Sequence, residues 1–257
     1  MKIKHLLCFI ALCLFFTPGK AQQLSVMTLR NGATVYIWED KSKPDVFGMI
    51  AFKVGSVDDP EQYTGLAHYL EHVMFKGTQT IDALDWEKEK PIYEKIIAKY
   101  DERAALSDPA AREAIDKEIN DLTREAAQYA AGNEFSLLVD HMGGQGLNAS
   151  TGYDQTEYHN SFPPSQLEKW LEIYSERLIG PVFRGFQTEL EAVYEEYNMY
   201  NDDRGSRMRE FIYEQAFGDH PYARPIIGLP EHLKNPQLSK LIDFYNTWYG
   251  PQNMSII

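Results

Sequence analysis

The mature part of the chain opens with alternation. Residues Leu24 to Arg30 alternate apolar and polar positions, Asn31-Gly32 offers a turn that needs positive φ, and Ala33 to Trp38 alternates again. Period two on both sides of such a turn predicts a β-hairpin. Val46 to Val54 is mostly apolar and rich in β-formers, as a strand buried on both faces would be. The period then changes: Leu66, Leu70, Val73 and Met74 recur at helical spacing, with Thr64 placed to cap the helix and Lys76-Gly77 to stop it.

From Asp82 to Gly132 the chain turns to Ala, Glu, Lys and Asp with no strand pattern. Ile92, Tyr93, Ile96, Ile97 and Tyr100 mark one amphipathic helix. Ser107-Asp108-Pro109 starts a second, on which Ile115, Ile119, Leu122, Ala126 and Tyr129 share a stripe. Together they predict a helical hairpin inserted in the domain, its charges a solvated outer face. Phe135 to Met142 reads as a short helix ending at Gly143-Gly144, and Gly146 to Thr151 and Gln155 to Phe162 as two strands. Helices follow at Leu167 to Ile179, from near Thr188 to about Tyr200, from Ser206 to Phe217 and from Ser239 to Tyr249. Asn201-Asp202-Asp203 separates the second from the third, and Asn253 to Ile257 begins a last strand. The order of elements predicts an α+β fold, a mixed β-sheet with helices packed chiefly on one face.

Composition narrows the function. The 257 residues hold 25 Lys plus Arg against 38 Asp plus Glu, a formal charge of −13, which argues against a nucleic-acid binder. Both cysteines, Cys8 and Cys13, lie in the apolar run Leu6 to Phe16, between Lys2 and Lys4 and the segment Pro18-Gly19-Lys20-Ala21. This is the layout of a secretory signal peptide over residues 1–21, and the apolar run is too short for a permanent membrane span. A short buried core helix is the competing reading. Cleavage after Ala21 would leave no cysteine and a charge of −16, from 22 basic against 38 acidic residues. The expectation is an exported protein, periplasmic or extracellular, with no membrane anchor after cleavage and no disulfide, held by its core and a metal.

The chemistry centres on His68 and His72, four residues apart on one helix with Glu71 between them. Residues at i, i+3 and i+4 share a face, so two imidazoles and a carboxylate converge. Tetrahedral Zn²⁺ accepts two nitrogens from adjacent helical turns, and the carboxylate then lies where a metal-bound water would give up its proton. A surface helix carrying two solvated histidines is the bland alternative, disfavoured by the apolar stripe beside them.

The segment Gly65 to Thr78 (GLAHYLEHVMFKGT) resembles the inverted zinc motif of the inverzincins, the group of pitrilysin, insulin-degrading enzyme and mitochondrial processing peptidase. The resemblance implies a zinc-dependent endopeptidase that hydrolyses peptides or unfolded polypeptides, with one Zn²⁺ per chain held by His68, His72 and a downstream glutamate. It implies Glu71 as general base. Another glutamate, seven residues before the third ligand, would orient the site, and Glu189 and Glu196 have that spacing. The ligand role thereby falls to Glu196 and the orienting role to Glu189. Glu195, about 100° round the helix from Glu196, is the rival and reads as solvent-facing. Gly144 to Tyr158 (GQGLNASTGYDQTEY) is similar to the family's strand pair, which implies that Asn148 and Ala149 bind the substrate backbone. A turn role for Asn148 is the alternative.

Two departures qualify the likeness. The interval from His72 to Glu196 is long for the family, and the hairpin at about 82–132 accounts for the excess. Family members are clamshells of related halves, so residues 22–257 are expected to be an N-terminal catalytic half-domain, cut off in its last strand, that works with a second half-domain or a partner subunit. A non-catalytic peptide-binding or partner subunit is the alternative function.

Overall fold

The computed structural model describes residues 24–257; the expected signal peptide of residues 1–21 lies outside them. Six strands form one sheet: β1 (Leu24–Thr28), β2 (Thr34–Trp38), β3 (Val46–Phe52), β4 (Gln145–Thr151), β5 (Thr156–Phe162) and β6 (Met254–Ile256). Nine α-helices accompany it among the described residues: α1 (Leu66–Val73), α2 (Trp86–Ala105), α3 (Pro109–Ala126), α4 (Glu134–His141), α5 (Leu167–Ile179), α6 (Phe186–Asp202), α7 (Arg204–Phe217), α8 (Pro230–Leu233) and α9 (Leu238–Trp248). The strand order is β1-β2-β6-β3-β5-β4, antiparallel throughout except where β6 runs parallel to β2. This is the α+β mixed sheet the element order predicts.

The expected two-sided burial of the third strand is not what forms. In β3 only alternate residues, Gly48, Ile50 and Phe52, are buried, while Phe47 is exposed. The helices cover one face, and the residues between point to the other. On the covered face Phe52 stacks on Tyr249 with ring centroids 4.2 Å apart, and Phe162 on Trp170 at 5.2 Å. Asn160, fully buried on β5, accepts hydrogen bonds from Trp170 Nε1 at 2.8 Å and the Tyr174 hydroxyl at 2.7 Å, which fastens α5 to the sheet. A Cβ on Gly48 would come within 2.7 Å of the Trp170 ring, so this strand position needs glycine for the helix to lie this close.

The first helix is also capped differently from the expectation. Its N-cap is Gly65, at φ 90°, and Thr64 makes no cap bond. The buried Asp59 carboxylate instead accepts from Gly65 N at 2.7 Å and Ala67 N at 2.9 Å. Thr64 is used elsewhere: its hydroxyl accepts from Leu229 N at 2.9 Å and meets His232 Nδ1 at 2.8 Å. Gly65 packs backbone to backbone on Gly228, where an added Cβ would lie 2.5 Å from the Thr64 carbonyl.

Helices α2 and α3 form the expected hairpin, with Ile92, Ile96, Tyr100, Ile115 and Ile119 buried between them and the domain. Asp108 accepts from Ala111 N at 3.1 Å, so the predicted start of the second helix is correct. The two ends of the segment are clasped together. Asp82 N donates to Glu134 Oε2 and Glu134 N to Asp82 Oδ1, both at 2.6 Å. Beyond the clasp Ala83 pairs with Ala130 as an isolated bridge. The root of α2 is held by a bidentate pair in which Arg184 donates to Glu89 at 2.6 and 2.7 Å, with the glutamate side chain only 2% exposed. Removing one partner strands the other charge in the interior. Glu89→Ala is therefore expected to cost about 3–5 kcal/mol in urea unfolding, and pairing it with Arg184→Leu should recover part of that loss.

Candidate metal centre

Helix α1 is short, and all but its first and seventh residues are buried. Tyr69, Leu70 and Val73 anchor it in the core, and this leaves His68, Glu71 and His72 along the rim of a cleft of about 720 Å³. Helix α6 crosses it. Leu190 and Val193 fix that crossing from inside, which turns Glu189 and Glu196 toward the histidines while Glu195 is exposed. The structure thus brings together four of the residues singled out from sequence on these two helices, along with Glu71.

The geometry is compact. Glu196 Oε2 lies 3.5 Å from His68 Nε2 and 3.4 Å from His72 Nε2, and one donor atom from each of the three residues falls within 4.8 Å of the others. Two neutral imidazoles and a carboxylate closing on one point are a donor set suited to zinc. His68 Nδ1 is buried with no hydrogen-bond partner, so nothing but its ring position commits Nε2 to the cleft. Glu189 Oε2 stands 3.5 Å from His72 Nδ1, on the far side of that ring from Glu196, and pairs with Lys76 through its other oxygen. A carboxylate so placed is able to fix the orientation of the ring.

The charges follow from these contacts. Burial, helped by the neighbouring His72, pushes His68 down to about 4, against the pull of Glu196. In His72 burial works the same way but is outweighed by its bonds to Glu189 and Glu196 and by the field of Glu71, which raise it to about 9. The His72 bond holds Glu196 below the usual carboxylate range, with Tyr200 adding a hydrogen bond. Burial raises Glu71, while the Thr151 hydroxyl, which donates to Glu71 Oε2 at 2.6 Å, works to keep it ionised. Behind Glu71 the fully buried Arg177 lies among four aromatic rings, 4.2 Å from the centroid of Phe75 and 4.4 Å from that of Tyr158, and its Nε donates to the Met74 carbonyl at 3.0 Å.

Asn148 and Ala149 lie in the middle of β4 and line the same cleft, so Asn148 is a strand residue and not a turn residue. Because β4 ends the strand order, its outer edge is unpaired among the described residues. Four contributors went unnoticed in the sequence: Asp59, Lys76, Thr151 and Arg177. Asp59 could have been suspected, as an acid shortly before a helix start. The others depend on contacts more than 75 residues apart that no local pattern reveals.

The model of the insulinase peptidases, family M16, matches residues 34–90 and 122–229. The chain belongs to this family. The match passes over residues 91–121, which lie in α2, α3 and the turn between them. Among curated relatives, the zinc protease PqqE of Helicobacter pylori is 25% identical over 90% of the chain, which covers 42% of that protein. Pitrilysin superposes with a TM-score of 0.65 at 22% identity, over 93% of this chain and 21% of pitrilysin. The periplasmic protease PqqL of Escherichia coli gives 0.66 at 23% identity, over 92% and 22%. The chain spans about a third of the length of several zinc proteases it matches, and among the described residues no helix is long and apolar enough to cross a membrane.

One titration follows. In metal-free protein His72 keeps its proton to about pH 9, whereas an unfolded histidine releases it near 6.5. The stabilisation from the charged ring is complete below the unfolded value and is lost as pH rises through the folded one. The melting temperature of chelator-treated protein is expected to fall between pH 7 and 9, and His72→Asn to flatten that slope. Equal slopes for the two proteins would contradict the assignment.

Proposed function

We propose that this chain is the N-terminal catalytic half-domain of an exported zinc endopeptidase, built from residues 22–257 after removal of residues 1–21 and carrying an inserted helical hairpin at about 82–132. The observation that carries the reading is the convergence of His68, His72 and Glu196 within 4.8 Å, on the same cleft wall as Glu71. These three residues would hold a single Zn²⁺. Such an ion supplies a Lewis acid for a peptide carbonyl and makes water acidic enough to attack near neutral pH.

The chain's own groups do the remaining work. Glu71, which lines the cleft between the two histidines, takes the proton of the attacking water and passes it to the leaving amine. Glu189 holds the His72 ring through its Nδ1 and is itself neutralised by Lys76, so the orienting contact adds little negative charge. The free edge of β4 offers main-chain groups at Asn148 and Ala149 to an extended peptide, which would join the sheet as a further strand. Recognition of that kind reads backbone more than side chains, in keeping with peptides or unfolded polypeptides as substrates. A second half-domain or a partner subunit would close the cleft. Relatives longer than this chain support that view, and the periplasmic label of PqqL supports export. The alternative of a non-catalytic subunit gains nothing here, since the donors and the base converge.

Two variants of the natural-length protein test the reading. Glu71→Gln is expected to retain one zinc per chain while peptide cleavage falls by about 10²–10⁴-fold. Glu196→Ala is expected to lose zinc by metal analysis, and activity with it. Undiminished cleavage by Glu71→Gln would sink the general-base role. Full zinc content in Glu196→Ala would sink the ligand set.

A further inference from the structure

Glu71 is held by one side-chain hydrogen bond, and it comes from the strand proposed to receive the substrate. Thr151 closes β4, two residues beyond Ala149 and three beyond Asn148, and its hydroxyl donates to Glu71 Oε2 at 2.6 Å. Thr151 is half-buried and, like Asn148, Ala149 and Ser150, lines the cleft. It pairs with the fully buried Thr156 across the β4–β5 turn, and the Thr156 hydroxyl donates to the Val54 carbonyl at 3.0 Å. The donor is therefore mounted on a braced end of the sheet, not on a mobile loop.

A glutamate has three rotatable bonds, and of its neighbours on α1 His72 acts on the carboxylate through charge and not through a hydrogen bond. Occupying Oε2 leaves Oε1 as the oxygen available to accept a proton. The same bond makes the position of the base depend on the strand edge. We infer that Thr151 is a positioning residue that sets Glu71 in register with a peptide bound along β4. This rests on the reading of Glu71 as general base. A substrate that adds to β4 would brace the strand and so the carboxylate, which ties the base to occupancy of the edge.

The test compares Thr151→Val, which keeps shape and strand preference but lacks the hydroxyl, with Thr151→Ser, which keeps it, in the zinc-loaded protein at natural length with a fluorogenic peptide. Val is expected to lower kcat by about 10- to 100-fold with KM little changed, and Ser to restore most of it. Zinc content and melting temperature should match the wild type in both, and a crystal structure of the Val variant should show the Glu71 carboxylate turned from its present rotamer. Wild-type kcat in the Val variant would overturn the inference. So would a loss that tracks zinc content or stability, which would mark a merely structural role. Should Val fail to fold, Thr151→Ala against Thr151→Ser replaces it, and equal kcat in that pair would again overturn the inference. Glu71→Gln is run alongside: cleavage undiminished there overturns the reaction itself, whereas cleavage abolished there and normal in Val faults the threonine alone.

Discussion

Everything in the site depends on the two ends of α1 being fixed. An isolated helix of eight residues is unstable in water, because the cost of nucleation is never recovered over so few hydrogen bonds. Here the buried Asp59 carboxylate satisfies the N–H groups of Gly65 and Ala67, and the Arg177 guanidinium satisfies the Met74 carbonyl. Both clamps come from outside the helix and are ionisable groups carried into the interior, where burial pushes Asp59 up to about 7 against the pull of the two backbone bonds. When ionised, Asp59 lies at the positive end of the helix, with Arg177 at the negative end. The histidines can then sit on a rim with few contacts of their own, since the backbone beneath them is already immobile.

This explains what could be read from sequence and what could not. The helix with His68 and His72 and the hairpin helices are local periodicities, and the structure carries them out within a residue or two. The family resemblance singles out Glu196 over Glu195, and α6 turns Glu196 to the histidines and leaves Glu195 exposed. Thr64 looks like the cap, and Asp59 stands six residues before Gly65 in an acidic stretch with little sign of its role. The cap went to Asp59 because Thr64 was already committed to Leu229 and His232, some 165 residues away in sequence. The third strand misled for a related reason. Its apolar run signals burial, but how many faces are covered is decided by where helices fall, and they fall on one side.

The electrostatics of the centre are graded. His68, with only its Nε2 facing a partner, is held neutral, while His72, gripped at both nitrogens, holds a proton when no cation is present. His68, His72 and Glu196 would hold a cation in place of that proton, and its charge would then balance Glu189 and Glu196. Lys76 absorbs part of the remaining negative charge, so the cluster of carboxylates does not have to be neutralised by the ion alone.

The clasp between Asp82 and Glu134 makes residues 83–133 a side branch of the chain. Both Asp82 and Asn133 adopt positive φ, 64° and 65°, which turns the backbone out and back at the same point. The entropic cost of closing such a branch grows only with the logarithm of its length, so the roughly fifty residues beyond the neck add to it slowly. The family model follows the chain from β2 to the loop before α8 and passes over residues 91–121, all of them inside this branch. The branch still packs on the domain: Ile92, Ile96, Tyr100, Ile115 and Ile119 share one core with the apolar faces of α1 and α6, so the seating of those two helices rests partly on it.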